Sequence, residues 1–140
     1  MLKKTMTYTD YDGVSRTEDF YFNISKAEII EMQFSETGGL DKLIKKIMDT
    51  KDYAKLIGLF KNLIKISYGE KSLDGRTFEK SEEIFKRFEQ TEAYSDLFME
   101  LATNTDAAIN FLTSIVPSDL AKELDKGKIE SIANANTNTH

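Results

Sequence analysis

The chain has 140 residues, with 24 acidic against 19 basic side chains and a formal charge of −5, a balance that favours solubility and repels nucleic acid and anionic membranes. It has no cysteine and a single histidine, His140, which excludes a disulfide framework, a thiolate metal site, a cysteine nucleophile and any internal histidine ligand or general base. This length suits one hydrophobic core and not two.

No run of about 18 apolar residues occurs, and no apolar stretch follows Lys3 and Lys4, so neither a membrane span nor a secretion signal is expected. Residues 3–23 read as a β-hairpin, with threonines, aromatics and charged residues alternating on either side of Asp12-Gly13. A two-residue Asp-Gly turn would leave both faces half apolar. A three-residue loop, Tyr11-Asp12-Gly13 with Gly13 left-handed, pairs Asp10 with Val14 instead. That register gathers Leu2, Met6, Tyr8, Val14, Phe20 and Phe22 on one face and Thr5, Thr7, Thr9, Ser15, Thr17, Asp19 and Tyr21 on the other. A one-residue slip inverts every side chain, so the register with one clean apolar face is favoured. Two strands alone are marginal in water; the apolar face must lie against helices or against a neighbouring subunit, and the exposed edge offers a second copy a place to add a strand.

Helical signals begin at Ser25. Ser25 and Glu28 have capping-box spacing, Ala27, Ile30 and Phe34 supply a buried stripe, and Gly38-Gly39 ends the helix. A second helix, about residues 40–49, carries Leu40, Leu43, Ile44, Ile47 and Met48 inside and Lys42, Lys45 and Lys46 outside. The third, about Tyr53 to Tyr68, has Leu56, Ile57, Phe60, Leu63 and Ile64 on one side and Leu59 and Ile66 elsewhere. Apolar over more than one stripe, it reads as the central helix wrapped on several sides, though a groove for a partner produces the same pattern.

Residues 69–80 read as a polar loop with a turn at Asp74-Gly75 and Phe78 as an anchor. Short helices follow near 82–89 (Ile84, Phe85, Phe88), near 92–103 capped by Thr91 (Tyr94, Leu97, Phe98, Leu101), and near 106–116 (Ala108, Phe111, Leu112, Ile115), the last stopping before Pro117. Residues 118–132 read as a weak charged helix. Residues 133–140, rich in Asn and Thr, have nothing to bury and should be disordered. The fold class is thus α+β and mainly α: an N-terminal β-hairpin and a compact bundle of about five to seven short helices. Residues 1–132 form a single domain, with the hairpin over 3–23 and the helical part over 25–132.

No arrangement of residues points to catalysis. Asp10 and Asp12 flank a solvated turn, and Glu82-Glu83 occupies a first helical turn where negative charge meets the positive end of the helix dipole. Neither pair sits in surroundings that would push two carboxyl pKa values apart. Asp10 to Gly13 and Asp74-Gly75 lack the alternating oxygen ligands and closing glutamate of a calcium loop. Gly69 and Gly38-Gly39 lack phosphate-loop spacing and read as helix stops. No catalytic residue, metal or cofactor is expected. Nine phenylalanines and six tyrosines are ample for the core. The surplus of large apolar residues in two short helices, Ile84, Phe85, Phe88, Tyr94, Leu97, Phe98 and Leu101, with Leu59 and Ile66, is where a partner-binding surface is expected.

The segments Tyr68-Gly-Glu-Lys-Ser-Leu-Asp-Gly-Arg-Thr-Phe-Glu-Lys-Ser81 and Thr91-Glu-Ala-Tyr-Ser-Asp-Leu-Phe-Met-Glu-Leu-Ala-Thr-Asn104 closely resemble the tail assembly chaperones of siphophages and prophages of Gram-positive bacteria. The opening Lys4-Thr-Met-Thr-Tyr-Thr-Asp-Tyr-Asp-Gly-Val14, the stretch Glu18-Asp-Phe-Tyr-Phe-Asn-Ile-Ser-Lys-Ala-Glu28 and the Val116-Pro117 step fit the same family, so the resemblance covers roughly residues 1–120. It implies a non-enzymatic protein of the bacterial cytoplasm that coats the long tape measure protein, keeps it soluble, recruits tail tube subunits and is absent from the finished virion. In many such phages a frameshifted longer product exists; Lys126-Gly-Lys128 is compatible with a slippery site, as any Lys-Gly-Lys is. Two other readings stay open: a structural virion subunit at the head-tail joint or tail terminus, and a prophage-encoded immunity or regulatory adaptor.

Removal of residues 133–140 should leave the thermal melt superimposable on that of the full chain. A loss above about 1 kcal/mol, the size of an ordinary destabilising substitution, would show that the tail is docked.

Overall fold

Strands β1 (Leu2–Thr9) and β2 (Ser15–Phe22) pair antiparallel from Leu2 opposite Phe22 to Thr9 opposite Ser15 in the computed structural model, which describes residues 1–33 and 51–117 and, between them, Lys42, Lys45, Lys46 and Asp49. This is the register expected from the three-residue loop. Gly13 has φ +81°, its amide donates to the Asp10 carbonyl, and the Asp10 amide donates to Val14 O at 2.8 Å. The Asp10 carboxylate fixes the turn as well, accepting from the amides of Asp12 and Val14 and from Arg16 Nε at 2.6 Å. The Arg16 guanidinium and the Val14 amide hold the Asp10 carboxyl below its ordinary pKa.

One face of the hairpin is apolar and the other is polar, where Thr5 donates to Asp19 and the Thr7 and Thr17 hydroxyls meet at 2.9 Å. On the apolar face Met6 and Phe22 are buried, and Leu2, Tyr8 and Phe20 pack half-buried on the core. Val14 shares the face but stays exposed at the hairpin tip. Tyr8 donates to Glu18 near the same end of the hairpin.

The hairpin is part of a larger sheet. Residues 69–80, expected as a loop, form a second hairpin of β3 (Tyr68–Lys71) and β4 (Phe78–Glu79), giving an antiparallel sheet of order β1-β2-β3-β4. β3 meets only the end of β2, with Tyr21 opposite Gly69 and Phe22 opposite Tyr68. Long-range pairing produced this strand: nothing in its local sequence signals one, and its turn at Asp74-Gly75, with Gly75 at φ +77°, was legible from the start.

Helix α1 spans Lys26–Gln33, α2 Tyr53–Ser67, α3 Glu82–Glu89, α4 Glu92–Thr103 and α5 Thr105–Ile115. The caps explain the starts. Asp52, Ser81, Thr91 and Asn104 each accept from a backbone amide of the first turn, which satisfies donors a helix leaves open. The Ser25–Glu28 capping box forms as expected, with reciprocal bonds of 3.2 and 3.0 Å. Its stripe differs from expectation: Ile29 is buried and Met32 half-buried, whereas Ala27 and Ile30 face solvent. Glu28 is drawn inward by Lys80, and that rotation sets which neighbours turn in. Phe34 and the Gly38-Gly39 stop lie outside the described residues, as do the apolar positions of the helix expected over 40–49; its Lys42, Lys45 and Lys46 are helical and exposed.

Among the described residues the central helix is α4, not α2. α4 touches β1, α2, α3 and α5, and its Ala93, Leu97 and Leu101 are buried. α2 buries Phe60, Leu63 and Ile64 but leaves Ile57 36% exposed and Leu56, Leu59 and Ile66 only half-buried. All four apolar residues expected inside α5, Ala108, Phe111, Leu112 and Ile115, are buried.

Two glycines should respond oppositely to alanine. A Cβ on Gly69 would stand 2.6 Å from the Phe78 ring and 2.8 Å from the Glu79 carbonyl, so Gly69→Ala should cost about 1–3 kcal/mol in a denaturant titration, as overpacking does. A Cβ on Gly58, in the exposed stretch of α2, meets nothing within 4 Å; Gly58→Ala should stabilise by roughly 0.5–1 kcal/mol by restricting the unfolded chain.

Candidate functional site: an apolar groove

The nine apolar residues expected to bind a partner divide into two groups. Phe85, Phe88, Leu97 and Leu101 are buried in the core. Phe88 stacks on Tyr68 at 4.1 Å and meets the edge of Phe22 at 5.9 Å, so it holds α3 to the sheet. Ile84, Tyr94, Phe98, Leu59 and Ile66 pack on the core with part of each side chain outside it. Tyr94 lies between Phe85, Phe88 and Phe98 at ring separations of 6.0, 5.6 and 6.1 Å, and burial, with Glu89 nearby, raises its pKa.

Of these nine, Ile66 and Phe85 come together in one concavity. A groove of about 530 Å³ runs between α1, the C-terminal half of α2 and the start of α3. Ile66, Met32, Ile24 and Phe85 give it an apolar lining, and Glu28, Glu31 and Glu82 stand along it with Lys65 and Lys80. That volume lies in the range of natural binding pockets. Leu59, Ile84, Tyr94 and Phe98 do not line it.

The walls of the groove are joined by Lys80. Its ammonium donates to Asn23 O at 2.6 Å, to Glu28 Oε2 at 2.7 Å and to Ile66 O at 2.9 Å, so its three N–H groups tie the β2–α1 junction, α1 and the end of α2 to one point. Burial works to raise the Glu28 carboxyl, but the Lys80 ammonium and the Ser25 amide outweigh it and hold the carboxyl below its ordinary value. Tyr68, at the groove floor, is pushed up to about 12 by burial. Met32, Glu28 and Lys80 were not foreseen as site residues. Met32 follows Glu28 by one helical turn, a spacing that would have placed both on one face; Lys80 had no local signal, because its partners lie far from it in sequence.

No group of three or more His, Asp or Glu side chains able to hold a metal occurs among the described residues. The Asp10 and Asp74 carboxylates are occupied by the turns they fix. No helix among the described residues is long and apolar enough to cross a membrane. The arrangement suits apolar contact with a protein segment.

Residues 1–140 match the model of a family described as phage tail assembly chaperone. No curated protein and no solved structure matches the chain.

The Glu28–Lys80 pair carries a signed pH dependence. A carboxyl whose pKa is lower folded than unfolded stabilises fully above the unfolded value, 4.5, and loses that contribution as pH falls through the folded value. Glu28→Gln should therefore lower stability at pH 7 by about 1 kcal/mol, a size limited by solvent screening of a partly exposed pair. The difference from the parent should vanish on acidification below that window, as read from paired thermal melts.

Proposed function

Because the chain belongs to the phage tail assembly chaperones, we propose that it binds the tape measure protein of its own phage in the host cytoplasm, keeps it soluble and helps bring tail tube subunits to it, leaving before the virion is complete. The observation that carries this reading is the groove, which Ile66, Met32, Ile24 and Phe85 line with apolar side chains. A helix of the tape measure protein with an apolar stripe fits such a groove in the way amphipathic helices dock elsewhere, through anchors spaced by helical turns. Leu59, Ile84, Tyr94 and Phe98 extend the contact outside it. No step of this function needs bond chemistry, so the protein acts without a catalytic residue, metal or cofactor.

Co-expression of the tape measure protein with this chain tests the reading. The chaperone should raise the soluble yield of the client and co-purify with it. Ile66→Ser and Met32→Ser should weaken co-purification by roughly 2 kcal/mol, the scale of an interface hot spot. Phe85→Ala should instead cost about 3–5 kcal/mol of stability, as loss of a core ring does. If the client is equally soluble alone and the two never co-purify, a structural virion subunit is the better reading, and the chain should then be detected in purified particles.

A further inference from the structure

Strand β1 stands at one edge of the sheet. Asp10 N donates to Val14 O, and antiparallel bonding alternates along a ladder. The amides and carbonyls of Tyr8, Met6 and Lys4 therefore point to β2, and those of Thr9, Thr7, Thr5 and Lys3 point off the edge. No strand among the described residues pairs with that side. Edges are commonly closed by shortness, proline or a bulge; β1 runs for eight residues in unbroken register and has none of these. Beside its first residues, on the helix side, lies a pocket of about 320 Å³ between β1, the end of α4 and α5. Leu2, Leu101 and Phe111 give it apolar walls, and the exposed Asp106 and Asn110 line it as well. Lys4 and Glu100, also at the pocket, neutralise each other at 2.9 Å, whereas the Asp106 carboxylate has no hydrogen bond or ion pair among the described residues.

An open strand edge beside a pocket is the arrangement that recognises extended peptides: the backbone supplies hydrogen bonds, and alternate side chains enter the pocket. In a strand laid along β1, the residues opposite Leu2 and Lys4 project to the helix side, where this pocket lies. An arginine there would lay its aliphatic stem on Leu2, Leu101 and Phe111 and offer its guanidinium to Asp106 and to the amide oxygen of Asn110. A second copy does not supply that residue. The helix-side positions of β1 are Leu2, Lys4, Met6 and Tyr8, of which Lys4 is held by its own Glu100, and the opposite edge of the sheet, β4, has only two residues. We propose that the β1 edge takes up an extended, arginine-bearing segment of a different protein, which lengthens the sheet by one strand and seats its arginine in the pocket. This pocket and the groove between α1, α2 and α3 share no residue, so the contact stands independently of the client proposed above.

The probe is a labelled peptide of about seven residues, the length of an ordinary strand, that alternates threonine and valine around a central arginine. Titrated with the full chain, its fluorescence anisotropy should give a dissociation constant below about 1 mM. Replacing the arginine by glutamate, or N-methylating the threonine amides that would face β1, should each weaken binding at least about tenfold, the scale of a hot-spot loss. Asp106→Lys should melt close to the parent, since the side chain is exposed, weaken the arginine peptide to the same degree and bind the glutamate peptide more tightly than the parent does. Amide exchange reports the place of binding: Thr5 and Thr7, open in the free chain, should become protected on adding peptide, while Met6 and Tyr8, bonded to β2, should exchange slowly throughout. A peptide that fails to bind by about 1 mM overturns the proposal. So does binding that is indifferent to the arginine, to Asp106 or to N-methylation. Protection of Thr5 and Thr7 that appears without peptide and grows with chain concentration would make a second copy the occupant, and overturns it as well.

Discussion

Phe22 is the residue on which the rest of the structure depends. It is fully buried, and its ring meets Phe111 of α5 at 5.2 Å, Tyr68 at the end of α2 at 5.5 Å and Phe88 of α3 at 5.9 Å. Each such pair contributes beyond the area it buries. The backbone then continues what the ring begins: Asn23 N donates to Ser67 O at 2.8 Å and Ile24 N to Ile115 O at 2.6 Å. Three consecutive residues thus receive the ends of two helices and the side of a third. A two-stranded ribbon has little stability of its own, and this junction makes it inseparable from the helices.

From that junction the placement of the groove follows. α2 ends where β3 begins, at Tyr68, and α1 starts just past Ile24, so the end of one and the start of the other meet at this junction. Lys80 sets the gap between them by bonding to both. A long cation serves here because one ammonium reaches two carbonyls and a carboxylate at once, whereas an apolar residue would leave those acceptors without a donor.

The features legible in the sequence were those decided by neighbours in the chain. The hairpin register was readable because one face had to be apolar, and the helix starts at Ser25 and Thr91 because capping is local chemistry. The strand at Tyr68–Lys71 was hidden: it depends on β2, far away in sequence, and on Gly69 admitting the ring of Phe78. The rotation of α1 was hidden for the same reason, being set by Lys80. Apolar surplus singled out two regions but could not divide core from surface. Phe85, Phe88, Leu97 and Leu101 lie inside because α4 crosses the middle of the molecule, a fact of packing that no single helix announces. The excess on α2 fitted either a central position or a partner groove, and among the described residues Ile57 is exposed while Leu56, Leu59 and Ile66 are half-buried.

Asn104 closes α4 through its amide, which donates to Glu100 O, and opens α5 through its side chain, which accepts from Ala107 N. One residue therefore performs both terminations, and the corner between the two helices contains no spare chain. Adding or deleting a single residue there would rotate everything after it by about 100°, given 3.6 residues per turn, and carry Phe111 away from Phe22. The loop at Tyr11–Gly13 is under a matching constraint, since β2 follows it in register with β1 and a one-residue change in loop length would invert the faces of the hairpin. Single-residue insertions and deletions among sequences that share this fold should therefore be excluded at both places, at Asn104 by helix rotation and at Tyr11–Gly13 by strand register.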